Sequence, residues 1–519
     1  MPRRFLRSLS IREWRDTAQS AETKRVGVVD IGSNSVRLVV FDGAARSPAV
    51  FFNEKVLCAL GDDLETTGQL STRGKERALA AIRRFCALAE RMKLTALIAV
   101  GTAALRDAAD GPDFVERVEA TTGLIIQIAE GRDEARLSAQ GVLLGEPDAR
   151  GVVADLGGAS LELVAVGDGV VGEGVTTPLG PLRLKRLEGD VSGHIDAALK
   201  AVIDKAMKNP PALYVLGGSW RALVQAHMAR TDYPLKVLHG YSLDLEAALE
   251  MADWGASLTP TDVRGFAGSS ERRARVVPEG AAVLARLLRV LRPERLVLSA
   301  FGLREGVLWE HLSEELRSQD PLLQVCERME RESGRMPGFG LELWSWLRPV
   351  FPQFDEAQRR LALAVSLLAD VNWRTHPDYR ARSCFELVTR NTFGGVDHRE
   401  RLFVGAALLY RYKRGNRAVA DEPAIGALLT PDELKLAEAL GRGVRLGAMI
   451  SASAPGVLPN CPIEVVDGDL KLTLPNVYAA LEGEEVARRL ESFAEALDLK
   501  GELRSGEVAP DQRKLAETS

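Results

Sequence analysis

The chain has 519 residues, 46% of them apolar and 27% charged, which suits a soluble globular protein and excludes a wholly disordered or membrane-embedded one. At roughly 150 residues per domain, the length implies three or four domains. The net charge of −5 gives no global attraction for a polyanion, so a general nucleic-acid binder is not expected and any polyanion must meet local basic surface.

Cys58, Cys86, Cys326, Cys384 and Cys461 are scattered, with no C-x-x-C pair, which argues against a disulfide framework or thiolate zinc site and fits a reducing, cytoplasmic setting. The six histidines lie far apart, so carboxylates are expected to hold any metal. No run of about 18 apolar residues occurs, so no transmembrane helix is expected.

In chain order, residues 1–25 read as a flexible basic extension, in which Phe5, Leu6, Leu9 and Trp14 also suit an amphipathic surface-binding helix. Val26 to Asp30 and Val36 to Phe41 are strands around the turn residues Ile31 to Ser35, which predicts a hairpin. A helix follows over Thr72 to Arg91, then a strand over Ala96 to Val100, a helix near Pro112 to Ala120, a strand over Leu124 to Ala129 and a helix from about Arg132. The hairpin pattern returns at Val152 to Asp155 and Leu161 to Val166 around Leu156 to Ser160, which points to two related lobes. Strands at Leu213 to Leu216 and Leu296 to Ser299 continue the second lobe. Beyond about Leu312 the segments Trp344 to Arg348, Glu356 to Ala369, Arg382 to Arg390 and Arg399 to Arg411 read as helices. The strands Ile463 to Val466 and Leu470 to Leu474, turning at Asp467-Gly468, then precede a helix over Gly483 to Ala496.

The hairpin loops carry the chemistry. Glycine-turned backbone directs N–H groups toward one point, and Ser33, Asn34 and Ser35 in one loop and Ser160 in the other add donors suited to phosphate. Asp30 and Asp155 close their strands, and seven residues later stand Arg37 and Glu162. One lobe therefore presents a cation where the other presents a carboxylate: Arg37 suits a phosphate, while Asp155 and Glu162 suit Mg²⁺. Thr102 and Arg106 follow a strand, and Gly218-Ser219 precede a helix with Ser219 as a candidate N-cap, so both pairs are further candidates for phosphate. Asp133 and Glu134 stand in the first turn of a helix, and either suits the role of proton acceptor from an attacking water.

Asp30-Ile31-Gly32-Ser33-Asn34-Ser35-Val36-Arg37-Leu38, Thr102 to Asp107, Gly131 to Leu137, Asp155-Leu156-Gly157-Gly158-Ala159-Ser160-Leu161-Glu162-Leu163 and Gly302 to Gly306 together resemble the exopolyphosphatase and guanosine pentaphosphate phosphatase family. The resemblance implies an α/β chain of two actin-like (ribonuclease H-like) lobes, at 26–138 and 139–312. A helical, degenerate HD-like domain at 313–441 and a small α+β domain at 442–519 would follow. It implies Glu134 as general base and Asp155 and Glu162 as Mg²⁺ ligands. It also implies that Asp30, Gly32, Ser33, Asn34, Ser35, Arg37, Arg106, Gly157, Gly158, Ala159, Ser160, Gly218 and Ser219 surround the terminal phosphates. The activity so implied is processive removal of terminal phosphates from inorganic polyphosphate by a homodimer, without nucleic-acid or membrane partners. Guanosine pentaphosphate hydrolysis and a low-turnover regulator binding guanosine tetra- or pentaphosphate or polyphosphate are the alternatives.

Ala159 departs from the family, which usually has a third glycine there. In the helical domain Ala369 precedes Asp370 where an HD metal site needs histidine, so no second metal site is expected and His376 and Asp378 read as structural. Arg411, Lys413, Arg414 and Arg417 form the densest basic run of that domain and are the expected surface for tracking a long polyphosphate.

Overall fold

A computed structural model describes residues 25–204, 207–268, 270–412 and 422–506. The expected N-terminal extension, apart from Arg25, lies outside them. The chain forms two compact units, one of residues up to 321 without 234–237, the other of 234–237 and residues from 322 on.

The first unit opens with the expected hairpin. β1 (Val26–Ile31) and β2 (Ser35–Phe41) pair antiparallel, β3 (Val50–Leu57) extends β2, and β4 (Ala96–Gly101) and β5 (Ile126–Ile128) add in parallel beyond β1, in the order β3-β2-β1-β4-β5. The second sheet repeats the plan. β6 (Gly151–Leu156) and β7 (Leu161–Gly167) form the hairpin, with β8 (Val170–Val171) and β9 (Val175–Thr177) on β7. β10 (Ala212–Gly217) runs parallel to β6, and β12 (Arg295–Leu298) runs parallel to β10 with β11 (Tyr241–Asp244) antiparallel at the edge.

Among the helices packed on these sheets are α1 (Thr72–Arg91), α2 (Ala103–Asp107), α3 (Gly131–Gly145), α4 (Gly218–Arg230), α5 (Val277–Leu291) and α6 (Leu303–Glu310). α1 forms where the sequence predicts it because Ala78, Ile82, Phe85 and Ala89 recur at helical spacing and bury one stripe against the first sheet. α4 and α5 cover the second sheet, with Trp220, Leu223 and Leu284 in its core. α3 and α6 lie between the sheets. Leu137, Val307 and Leu308 pack on Val26, Val28, Val39 and Phe41 of the first sheet. Ala135, Ala139, Val142 and Leu143 pack on Val153, Val164 and Val297 of the second.

α3 and α6 cross backbone to backbone. A Cβ on Gly141 would run into the Gly302 carbonyl oxygen, and one on Gly306 into that of Leu137. Because α3 serves both sheets, the lobe boundary expected at 138 falls inside a helix rather than in a linker.

The second unit is built on α7 (Phe339–Leu347), α8 (Glu356–Leu368), α9 (Pro377–Arg390), α10 (His398–Tyr412), α11 (Pro431–Ser451) and α12 (Glu484–Ala496), with a sheet of β13 (Ile463–Val466), β14 (Asp469–Pro475) and β15 (Lys500–Gly506). β13 and β14 form the expected hairpin, while β15 adds in parallel to β14. The boundary expected at 441/442 falls inside α11, where Gly443 lets Phe493 of α12 and Leu347 of α7 approach together. The C-terminal strands thus share one compact unit with the helices.

Arg411 is not a surface cation. It sits in α10, which is buried nearly all round, and its Nη2 donates to Asp370 Oδ1 at 2.6 Å. Arg411 therefore drops out of the expected tracking surface, since its side chain points into the helix packing; Lys413, Arg414 and Arg417 lie outside the described residues. His376 caps α9 from an exposed position beside Asp378. Among the described residues, no helix is long and apolar enough to cross a membrane.

Candidate active site

The two hairpin turns are built alike. Gly32 N–H donates to Ser35 O at 3.0 Å, and Gly157 N–H donates to Ser160 O at 2.9 Å. The strands then pair Asp30 opposite Arg37 and Asp155 opposite Glu162. Side chains alternate across a sheet, so Asp30 shares a face with Val28, Arg37 with Val39, Asp155 with Val153 and Glu162 with Val164. Those valines are the ones packed around α3 and α6. All four polar side chains therefore lie at the strand ends on the face turned toward the two central helices.

Those helices supply the rest. Glu134, in the first turn of α3, is buried and accepts from Arg106 Nη1 at 2.6 Å; Arg106 also donates to Ala129 O at 3.0 Å and through Nε to Asp107 Oδ1 at 3.0 Å. Burial pushes the Glu134 carboxyl up to about 7, against the pull of Arg106 and with the push of Asp155 and Asp30. One turn on, Ser138 Oγ donates to Asp155 Oδ2 at 2.5 Å. Thr176 Oγ1 donates to Glu162 Oε1 at 3.1 Å. Burial raises the Asp155 carboxyl although Ser138 opposes it. Burial, Glu134 and Asp155 together hold Glu162 well above the usual carboxylate range. Asp30 is raised by burial against Arg304, Arg37 and Lys55.

Cations crowd the same place. Burial first, then Arg304 and Arg221, lowers Arg37 to about 10, while its Nε donates to Asn53 Oδ1 at 2.8 Å. Arg221, in α4, is lowered by burial and by Arg304. Lys55 is lowered by burial, Arg273 and Arg37. Like charges held together at a buried site raise one another's cost, and a bound polyanion is what relieves it. Asn34 Oδ1, Ser219 Oγ and Arg221 Nε are buried polar atoms without a protein partner here. Such atoms are ready to bind a ligand.

Most of the residues read from sequence converge. Thr102 is anchored by its N–H to Ile31 O at 3.1 Å beside the first loop. A Cβ on Gly32 would stand 3.9 Å from Thr102 Oγ1 and 4.0 Å from Asp30 Oδ1, so this glycine keeps the space between them open. Ser33 packs against Gly61 and Ser35 begins β2. In the second loop Gly158 O and Ala159 O accept from Leu182 N–H and Gly180 N–H at 3.0 and 3.1 Å. Neither loop has a residue with positive φ, so Ala159 adopts its place without left-handed strain. Ser160 hydrogen-bonds Glu162. Ser219 is not an N-cap: Gly217, at φ 111°, takes that position, Gly218 opens α4, and Ser219 is buried against Gly280. Asp133 is directed instead to Arg136 at 3.5 Å, which leaves Glu134 facing the cleft carboxylates.

Sequence reasoning missed Lys55, Ser138, Thr176, Arg221, Arg273 and Arg304. Arg304 stood inside the quoted Gly302 to Gly306 segment and was the one within reach; the others come from strand and helix positions that no motif marks. Among the described residues no three His, Cys, Asp or Glu side chains form a metal cluster by themselves. The donor set nonetheless fits Mg²⁺, which is commonly held by one or two carboxylates, with water and substrate phosphate completing its shell. Asp155 and Glu162 are paired in register, and burial beside like charge is the condition a divalent cation relieves.

The model of the Ppx/GppA phosphatase family matches residues 22–315, and that of the exopolyphosphatase C-terminal region matches 323–503. Exopolyphosphatase 1 of Mycobacterium tuberculosis is 28% identical over 308 residues, covering 56% of this chain and 89% of that protein. Retrograde regulation protein 2 of Saccharomyces cerevisiae is 26% identical over 434 residues, covering 74% and 72%. The crystal structure of an exopolyphosphatase from Cytophaga hutchinsonii covers 55% of this chain and 97% of its own, with a TM-score of 0.50 at 23% identity, a likeness of fold.

Proposed function

Because the chain belongs to the Ppx/GppA phosphatase family, we propose that it is a Mg²⁺-dependent exopolyphosphatase that removes terminal phosphates from inorganic polyphosphate in a cleft between two actin-like lobes. The observation that carries this reading is the matched register of the hairpins, which sets Arg37 opposite Asp30 in one sheet and Glu162 opposite Asp155 in the other.

In this mechanism the terminal phosphate lies between the two loops, with its oxygens toward Arg37, Arg221 and Arg304. Glu134, held by Arg106, takes a proton from water as the water oxygen bonds to the terminal phosphorus. The bridging P–O bond breaks in line, orthophosphate departs, and the shortened chain keeps the electron pair on its new terminal oxygen. Charge spreads over the equatorial oxygens in such a transition state, so preoriented guanidinium and amide donors lower the barrier most. Mg²⁺ held by Asp155 and Glu162 would neutralise part of that charge. Ser138 and Thr176 orient those carboxylates, as outer hydroxyls orient metal ligands elsewhere.

Phosphate release from long-chain polyphosphate by Glu134→Ala tests the reading: we expect a loss of at least about a hundredfold, the usual weight of a general base. Turnover near wild type would refute it. Running guanosine pentaphosphate beside polyphosphate fixes the preferred substrate. A cytoplasmic homodimer is the assembly we propose, to be checked by analytical ultracentrifugation.

A further inference from the structure

We propose that Arg183 is a positioning residue for this reaction: it reaches Asp107 and, through Asp107 and Arg106, fixes the placement of Glu134. This rests on the reading of Glu134 given above.

Arg183 belongs to the short helix Pro181–Leu184, which the second loop braces through Gly158 O and Ala159 O. Its Nε donates to Glu65, in the short helix Leu64–Thr67 that follows β3, and its Nη2 lies 3.7 Å from Asp107 Oδ2. Asp107 gives its other oxygen to Arg106 Nε at 3.0 Å, and Arg106 Nη1 reaches Glu134 at 2.6 Å. A line of charge contacts thus runs from Arg183, on the helix braced by the second loop, through Asp107 and Arg106 to the Glu134 carboxylate.

Asp107 stands between two guanidinium groups. With Arg183 on one oxygen, Arg106 keeps a single bond to the other and its Nη1 stays on Glu134. Without Arg183 the carboxylate is free to turn its second oxygen to the Nε–Nη2 edge of Arg106, a two-pronged pairing that draws the guanidinium toward Asp107 and lengthens the Nη1 contact to Glu134. Arg183 and Asp107 are both partly exposed, so their contact contributes little to stability. A displaced catalytic group is another matter, since about 1 Å of misplacement costs on the order of a hundredfold in rate.

Two neighbours serve as controls. Arg186 Nη2 donates to Asp62 O at 3.0 Å, and Arg272 Nη2 lies 3.2 Å from Asp62 Oδ1. They bridge the same halves but end on Asp62, off the line to Glu134.

The test is a double-mutant cycle on polyphosphate hydrolysis. We expect Arg183→Gln to lower kcat about tenfold with KM changed less than about twofold, Arg183→Lys to recover part of the loss, and Arg272→Gln to leave kcat alone. In an Asp107→Ala background, Arg183→Gln should have no further effect. An unchanged kcat in Arg183→Gln, an equal loss in Arg272→Gln, or losses that multiply with Asp107→Ala would overturn the proposal. A crystal structure of the Arg183→Gln protein gives a reading independent of turnover: Arg106 displaced from Glu134 supports the proposal and Arg106 still in place refutes it. Should the wild-type protein release no phosphate from polyphosphate, the substrate assignment fails and that structure alone decides the role of Arg183.

Discussion

Arg106 Nη1 donates to Glu134 Oε1 at 2.6 Å, joining the helix after β4 to the first turn of α3. Burial has already pushed the carboxyl up to about 7, and Arg106 is the cation that keeps it from rising further. Arg106→Gln should therefore raise it, leaving the base protonated at neutral pH. We expect the acid limb of kcat/KM to move up by about one pH unit, and the loss of rate to be larger at pH 7 than at pH 8.5. A pH–rate profile of the variant checks this.

The buried carboxylates also make stability depend on pH. Asp30, Glu134, Asp155 and Glu162 are all raised in the folded state, so the folded protein holds more protons than the unfolded chain. Stability is then full below the ordinary carboxylate range and is lost as pH rises through the folded values, for Glu134 between its usual 4.5 and about 7. Its share is on the order of 3 kcal/mol. Without divalent ions we expect a lower Tm at pH 8 than at pH 5.5. Added Mg²⁺ should restore it at pH 8, and Glu134→Gln should flatten the dependence. Calorimetry with and without a chelator measures all three.

Two glycine substitutions should behave oppositely. A methyl on Gly32 meets only ordinary contacts, the nearest being Ser35 O at 3.6 Å, yet it occupies the space between Asp30 and Thr102. Gly32→Ala should keep its Tm and lose substrate affinity. Gly141→Ala must separate α3 from α6 and should cost about 1–3 kcal/mol or more. Thermal melts beside KM measurements distinguish the two.

Among the described residues, Arg411→Ala leaves Asp370 buried with only the partly exposed Arg335 as counter-ion. Removing one member of a buried pair costs about 3–5 kcal/mol. We expect a marked fall in Tm by denaturation, with KM for long polyphosphate unchanged in the fraction that stays folded.

The hairpins were legible because their signal is local: a glycine turn fixes the register, and the register fixes which side chains oppose each other. α1 was legible for the same reason, its apolar stripe being self-contained. β15 was not, since Lys500–Gly506 is polar and its partner β14 lies some thirty residues back, joined in parallel. β3 escaped because an edge strand with one neighbour keeps exposed residues, among them Val50 and Phe51. Arg221 was invisible for a different reason: a solitary arginine in a helix reads as solvated surface until tertiary packing buries it, while Arg273 stands exposed among Arg272 and Arg275 and shares only the field of the site. Arg411 failed in the converse sense, being read as surface from its basic neighbours in sequence when its own side chain faces inward.

The glycine-to-backbone crossing of α3 over α6 bears on how accurately the site is reproduced. Glu134 stands seven residues before Gly141, and Arg304 two before Gly306, so proton acceptor and cation are registered to one shared pivot rather than to separate supports. When the sheets breathe, the error in their positions is common-mode: both groups travel together, and the spacing between them is what the motion disturbs least.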